Sequence, residues 1–285
     1  MDEQLLSAIS KRHSTRTFLP DALPEDVVSQ VSAFAQGLEL PFESNTEFQF
    51  FKSAPGKGLY NNGIAPANGI ALIGETDLVS ISKTGFAGEL VILYAASIGL
   101  STCWFGHYKL AELGKYIDGI AEKERIKETS LGLGYGYGDQ VDVGKRVICC
   151  IPFGHGDENA KRLIDRVMKK LGANRKPLGE LLDENTTLSA LPPDIAEVLD
   201  LARPAPSAGN SQIWRFGYNK TTNVLTIAKP IGYKHFKWEH SDVDVGICAA
   251  HVWLGLVDKG YKPKVTVEQR EDRAVWVFEL NQASE

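Results

Sequence analysis

Apolar positions along the chain alternate between helical spacing and short strand-like runs. Leu5, Leu6 and Ile9 place a helix over residues 3–11. A second runs from 24 to about 35, opened by Pro24, Glu25 and Asp26. Proline suits a first turn because its missing N–H has no partner there, and acids face the positive end of the helix dipole. Residues 48–51, rich in aromatics, and 69–74, apolar and closed by glycine, predict strands with a Gly-, Pro- and Asn-rich loop between them. From Thr84 the pattern changes. Residues 85–98 are apolar on nearly every face, Glu89 excepted, which predicts a central buried helix ended by Gly99. Residues 146–153 predict another strand, and 161–171 a basic helix with Lys161, Arg162, Arg166, Lys169 and Lys170. Residues 195–202 read as the last turns of a helix stopped by Pro204 and Pro206, after which a small-residue loop with Gly209 enters an aromatic strand.

The pattern then repeats. Residues 191–199, LPPDIAEVL, lie naturally beside 23–31, LPEDVVSQV. Residues 246–260 reproduce the glycine spacing of 85–99, with Leu254 standing where Leu93 does. A period near 160 residues is too long for a solenoid, so the repetition predicts two related lobes joined as a covalent pseudo-dimer.

Composition adds bounds. With 285 residues, 43 % hydrophobic and 24 % charged, the chain suffices for one large domain or two modest ones. A net charge of −5 gives no global reason to expect nucleic acid or an anionic membrane as partner, so any basic site must be local. The N-terminus lacks a basic start, and the apolar runs look shorter than the roughly 18 residues a spanning helix needs, so a cytoplasmic protein is expected. Cys103, Cys149, Cys150 and Cys248 form no C-x-x-C pair, and the six histidines have no ligand spacing, so neither a disulfide framework nor a metal site is expected. Gly132, Gly134, Gly136 and Gly138 depart from G-x-G-x-x-G and fit a bent strand or flap better than a nucleotide loop.

Three stretches carry candidate chemistry. Arg12-His13-Ser14-Thr15-Arg16 sets two guanidiniums and two hydroxyls where they can wrap a phosphate, although such a run alone is as readily a solvated turn. Arg175 and Lys176, beyond the basic helix, can both be aimed at one anion by a backbone turn. The loop 205–216, APSAGNSQIWRF, presents a hydroxyl, two amides and backbone N–H groups suited to a flat polar heterocycle, or serves only as a connector.

Together with the Gly-Leu-Ser-Thr-Cys-Trp end of the 85–98 helix and Arg175-Lys-Pro-Leu, these motifs resemble the FMN-dependent nitroreductase family over most of the chain, in altered order. In that family the A-P-S-A-x-N-x-Q-P-W loop follows R-x-S-x-R in the same half. Here residues 38–46 have lost it and it stands only in the second half, with Ile213 in place of the usual proline. The resemblance implies an α+β, nitroreductase-like fold of two related lobes, 1–188 and 189–285, each a mainly antiparallel sheet flanked by helices. Family dimers build each flavin site from both subunits. A fused chain whose first lobe kept the phosphate segment and whose second kept the loop would be a monomer imitating that dimer, with one FMN.

The same resemblance assigns Arg12, Ser14 and Arg16 to the phosphate, with Arg175 or Lys176 closing it and His13 along the flavin edge. Pro206, Ser207, Ala208, Asn210 and Gln212 would contact the cofactor from the other lobe, and the backbone of Trp104, Phe105 and Gly106 would approach flavin N5. No catalytic side chain and no metal is required. NAD(P)H would deliver hydride in a ping-pong cycle to a small acceptor such as a nitroaromatic or quinone. Reductive dehalogenation, another flavin reaction, or non-catalytic flavin binding or redox sensing remain alternatives.

Overall fold

In the computed structural model, which describes residues 2–60, 63–117, 145–160, 162, 166–167, 170, 172–234 and 240–281, the two apolar runs become long helices that lie against each other. Helix α1 is Asp2–Lys11, α2 Glu25–Gln36, α3 Leu78–Ser97, α4 Leu110–Leu113, α5 Pro193–Ala202 and α6 Asp242–Asp258. The alternating glycines at 132–138 and most of the expected basic helix at 161–171 lie outside the described residues.

Helix α3 starts earlier than its apolar pattern suggests. Its cap is Asp77, whose carboxylate accepts the Ser80 N–H at 3.0 Å, and Thr84 sits inside the helix with its hydroxyl on the Ser80 carbonyl. The full helix is therefore long and apolar enough, by length and composition, to cross a membrane, contrary to the expectation of short apolar runs. It is mostly buried within the protein.

Two four-stranded antiparallel sheets flank the helices. The first takes β1 (Glu47–Lys52), β2 (Asn68–Gly74), β3 (Ser101–Thr102) and β4 (Arg146–Gly154) in the order β1-β2-β4-β3. The second takes β5 (Arg215–Asn219), β6 (Val224–Ala228), β7 (Lys264–Arg270) and β8 (Arg273–Glu279) in the order β5-β6-β8-β7. The orders are the same, and within each lobe the long helix follows the second strand.

The pseudo-symmetry is sharpest where α3 meets α6. A Cβ on Gly85 would lie 2.2 Å from the Val243 carbonyl oxygen, and a Cβ on Gly246 would lie 1.7 Å from the Ser82 carbonyl oxygen. The offset is 161 in both pairs, since 85 + 161 = 246 and 82 + 161 = 243. Each glycine thus admits the backbone of the other helix at the same place in its own lobe. The helix ends match too: Gly99 and Gly260, also 161 apart, both take positive φ, +85° and +81°. One continuous hydrophobic core runs through both lobes. Trp276 of β8 stacks on Phe86 of α3 at 5.1 Å and donates its indole N–H to Ser82 at 2.8 Å. The lobes share a core as two subunits of an obligate dimer would.

Candidate functional site

Beyond α1 the chain runs extended through the first lobe. The Thr15 N–H donates to the Thr102 carbonyl at 2.9 Å, Ile64 N–H donates to Arg16, and Leu19 N–H donates to His155. These bonds fix the backbone of residues 14–19 against three separate segments. Arg162 adds a bond from its Nη1 to the Thr17 hydroxyl at 3.1 Å.

The second lobe supplies the loop after α5. Gly209, Asn210 and Gln212 all have positive φ, 58°, 57° and 47°, a left-handed course that glycine and asparagine tolerate best. Its fold is held by side chains: Ser207 Oγ accepts the Gln212 N–H at 3.0 Å, and both oxygens of Asp244, on α6, accept the Ala208 N–H at 3.2 and 3.0 Å.

Residues 174–176 are laced onto this loop. Arg175 Nη1 donates to the Ala205 carbonyl and to Asn210 Oδ1, both at 2.8 Å. Asn210 Nδ2 and Gln212 Nε2 donate to the Asn174 carbonyl, Gln212 Oε1 accepts the Lys176 N–H at 2.8 Å, and Lys176 Nζ donates to the Ser211 carbonyl.

The two lobes meet at a cavity of about 260 Å³ lined by Arg12, His13, Ser14, Arg16, Gly172, Ala173, Arg175, Pro206, Ser207 and Asn210. Segments almost two hundred residues apart in sequence form opposite walls. The described lining contains three guanidiniums and no carboxylate. Burial, then the neighbouring Arg12 and Arg203, push the Arg175 pKa down to about 10, so it stays charged at neutral pH. Arginines crowded in this way oppose each other's charge, and an anion between them relieves the repulsion.

Sequence-predicted residues outside this lining have other work. Lys176 and Gln212 hold residues 174–176 onto the second-lobe loop, and the Gln212 side chain is buried with every polar atom occupied. Ala208 is anchored to Asp244. Of the 104–106 stretch, the Phe105 N–H is already given to the Cys150 carbonyl at 2.9 Å and its ring stacks on Tyr60 at 4.4 Å, so that amide is not available to a ligand. The Trp104 indole N–H points to Glu89 Oε2 at 2.8 Å, over Gly88, where a Cβ would lie 2.4 Å from the ring. Sequence reasoning missed Glu89, His251 and Asp244. The signal was present: one carboxylate in the first apolar helix, and one histidine and a first turn with two aspartates in the second.

The lining fits the charged end of a phosphate monoester. At 260 Å³ the cavity is smaller than the roughly 300–1,000 Å³ of pockets that enclose a drug-sized molecule, a size suited to a phosphate group and a short adjoining chain. Arg12 Nε, Thr15 Oγ1 and Thr102 Oγ1 are buried without a hydrogen-bond partner among the described residues. Of these residues only Arg12 lines the cavity, and an unpaired buried donor there favours a polar occupant or bound water. Among the described residues no cluster of His, Cys, Asp and Glu could hold a metal ion.

Asp244 yields a pH prediction. Burial raises its carboxyl to about 8 despite the Ala208 N–H, and Asp242 adds to the rise. An unfolded aspartate titrates near 3.9. Between about pH 4 and 8 the folded chain therefore holds more protons on this group than the unfolded chain, and its contribution to stability falls as pH rises through that window. Asp244→Asn keeps an acceptor for Ala208 and removes the titration. Its urea midpoint, followed from pH 5 to 9, is expected to decline less than that of the wild type, with the largest gain at the alkaline end. Superimposable profiles would contradict this.

A family model described as "Putative TM nitroreductase" matches residues 4–126 and 135–256. Among solved structures the chain resembles the "putative nitroreductase" of Thermotoga maritima msb8, at 21 % identity and a TM-score of 0.58, over 97 % of this chain and 94 % of that one. It also aligns with an FMN-dependent nitroreductase of Clostridium difficile R20291 (19 % identity, TM-score 0.36, 59 % of this chain and 98 % of that one). A nitroreductase of Bacteroides fragilis NCTC 9343 solved with bound FMN aligns at 18 % identity and a TM-score of 0.36, over 55 % and 91 %. No curated protein matches the chain.

Proposed function

The chain belongs to this nitroreductase family, and from that premise we propose that it is an FMN-dependent oxidoreductase that takes hydride from NAD(P)H and passes it to a small acceptor such as a nitroaromatic or quinone. The observation that carries the reading is the cationic cavity between the lobes, built from the two stretches whose motifs resemble the family's flavin-binding segments. When bound, FMN would supply the two-electron chemistry, accepting hydride and releasing it to the acceptor.

The chain's own residues bind and orient. Arg12, Arg16 and Arg175 match the charge of a phosphate dianion, and the Ser14 and Ser207 hydroxyls offer polar contacts beside it, while the Asn210 amide is given to residues 174–175. Gln212, Lys176 and Asp244 hold the second-lobe wall in place. Trp104 and Phe105 are fixed through Glu89 and Cys150 rather than by a ligand.

The test is anaerobic reduction. Protein loaded with FMN is expected to lose its visible flavin absorbance on adding NADH or NADPH and to regain it when a quinone or nitroaromatic is supplied. Colour that persists with both reductants assigns the protein to passive flavin binding, and a chain that takes up no FMN contradicts the proposal.

A further inference from the structure

Helix α3 carries one carboxylate in its apolar middle, and that carboxylate is surrounded. Glu89 is fully buried. Its Oε1 meets His251 Nε2 of α6 at 2.9 Å and Arg12 Nε at 3.7 Å, while its Oε2 accepts the Trp104 indole N–H at 2.8 Å. His251 is fully buried as well, and the Arg12 side chain is only 6 % exposed although it lines the cavity. A buried ion of this kind is costly unless paired and hydrogen-bonded, and Glu89 is both.

We infer that Glu89 is a positioning residue that fixes Arg12 at the wall of the cavity and takes its own orientation from His251, so that the second lobe's central helix sets how well the cavity holds a phosphate. The inference rests on the reading of the cavity as the phosphate end of a flavin site. At 3.7 Å the Arg12–Glu89 contact is longer than a hydrogen bond. It restrains the guanidinium by charge without consuming one of its donors, which stay available to an anion. Two hydrogen bonds, from Trp104 and His251, hold the carboxylate itself. Arg12 and Trp104, from two separate motifs, thus converge on one group.

Simple electrostatics and positioning predict opposite signs. Removing a negative charge from beside an anion site should tighten phosphate binding if charge alone matters. If Glu89 positions Arg12, Glu89→Gln should weaken it, because Arg12 is then left to the repulsion of Arg175 with nothing to hold it in place.

The experiment measures FMN, riboflavin and inorganic phosphate binding to the full chain, wild type and Glu89→Gln, at low and moderate salt. The expected result is FMN and phosphate affinity lower by about tenfold, the loss of one charged interaction, with riboflavin within about twofold, so that the FMN-to-riboflavin preference collapses. Unchanged or tighter FMN binding, or an equal loss for both flavins, would overturn the inference. Should Glu89→Gln not fold, His251→Gln, which keeps a donor toward Glu89, is expected to retain more of the preference than His251→Leu; equal behaviour overturns it. A wild type that binds phosphate but neither flavin sinks the flavin reading alone, and the phosphate arm still decides on Glu89. A wild type that binds none of the three sinks both.

Discussion

Gly246→Ala is expected to leave the chain unable to complete its fold. The added Cβ would sit 1.7 Å from the Ser82 carbonyl oxygen and 3.0 Å from the Phe86 nitrogen, and both atoms belong to the backbone of α3. Overpacking that side chains can absorb costs about 1–3 kcal/mol. A helix backbone cannot rotate away, so α3 and α6 would have to separate along their length, loosening the Phe86–Trp276 stack and the Glu89–His251 bond. A loss above roughly 3 kcal/mol is a large share of the 5–15 kcal/mol that stabilise a domain. Gly85→Ala, pressed against Val243, should behave alike. Gly260→Ala is the control: nothing lies within 4 Å of its Cβ, and only its φ of +81° is strained, at about 1–2 kcal/mol. Urea unfolding followed by tryptophan fluorescence, with soluble yield, separates the cases. A Gly246→Ala protein within about 1 kcal/mol of the wild type would show that the helices do not cross there.

Arg175→Ala carries the second large effect. This guanidinium lines the cavity and binds both the start of the loop, at Ala205, and its tip, at Asn210. Its loss removes a charge that lines the cavity and a tie that joins the start of the loop to its tip. Charge-assisted hydrogen bonds contribute about 1.5–3 kcal/mol each, so FMN affinity is expected to fall at least tenfold. Arg175→Lys should recover little: with Nη1 given to Ala205 and Asn210 a guanidinium still has its Nε and Nη2 N–H groups for an anion, whereas an ammonium making both bonds would keep one. FMN titration by flavin fluorescence checks both variants, and affinity equal to that of the wild type would remove Arg175 from the site.

Much of this architecture was legible because it was written as spacing. The 161-residue offset that joins Gly85 to Gly246 is visible in sequence, and it survives because both positions must admit a backbone. That residues 12–16 and the 205–216 loop border one cavity was legible because the two halves kept different motifs. The start of α3 was not: Gly85 resembles a helix opening, and only the other lobe explains a glycine inside a buried helix. Asn210 and Gln212 were read as ligand contacts, yet their amides bind residues 174–176, a choice made by partners some 36 positions away. Glu89 stood out as a lone carboxylate, but its meaning depends on His251, 162 positions distant. Periodicity reports which face is buried and is silent on what meets it.

The account's central claim is that two lobes of one chain make one flavin site. The direct measurement is FMN titration of the purified protein, with its mass in solution determined on the same sample. The account predicts saturation at one FMN per chain on a monomer. Two FMN per chain, no uptake at all, or uptake only by a dimer would contradict it.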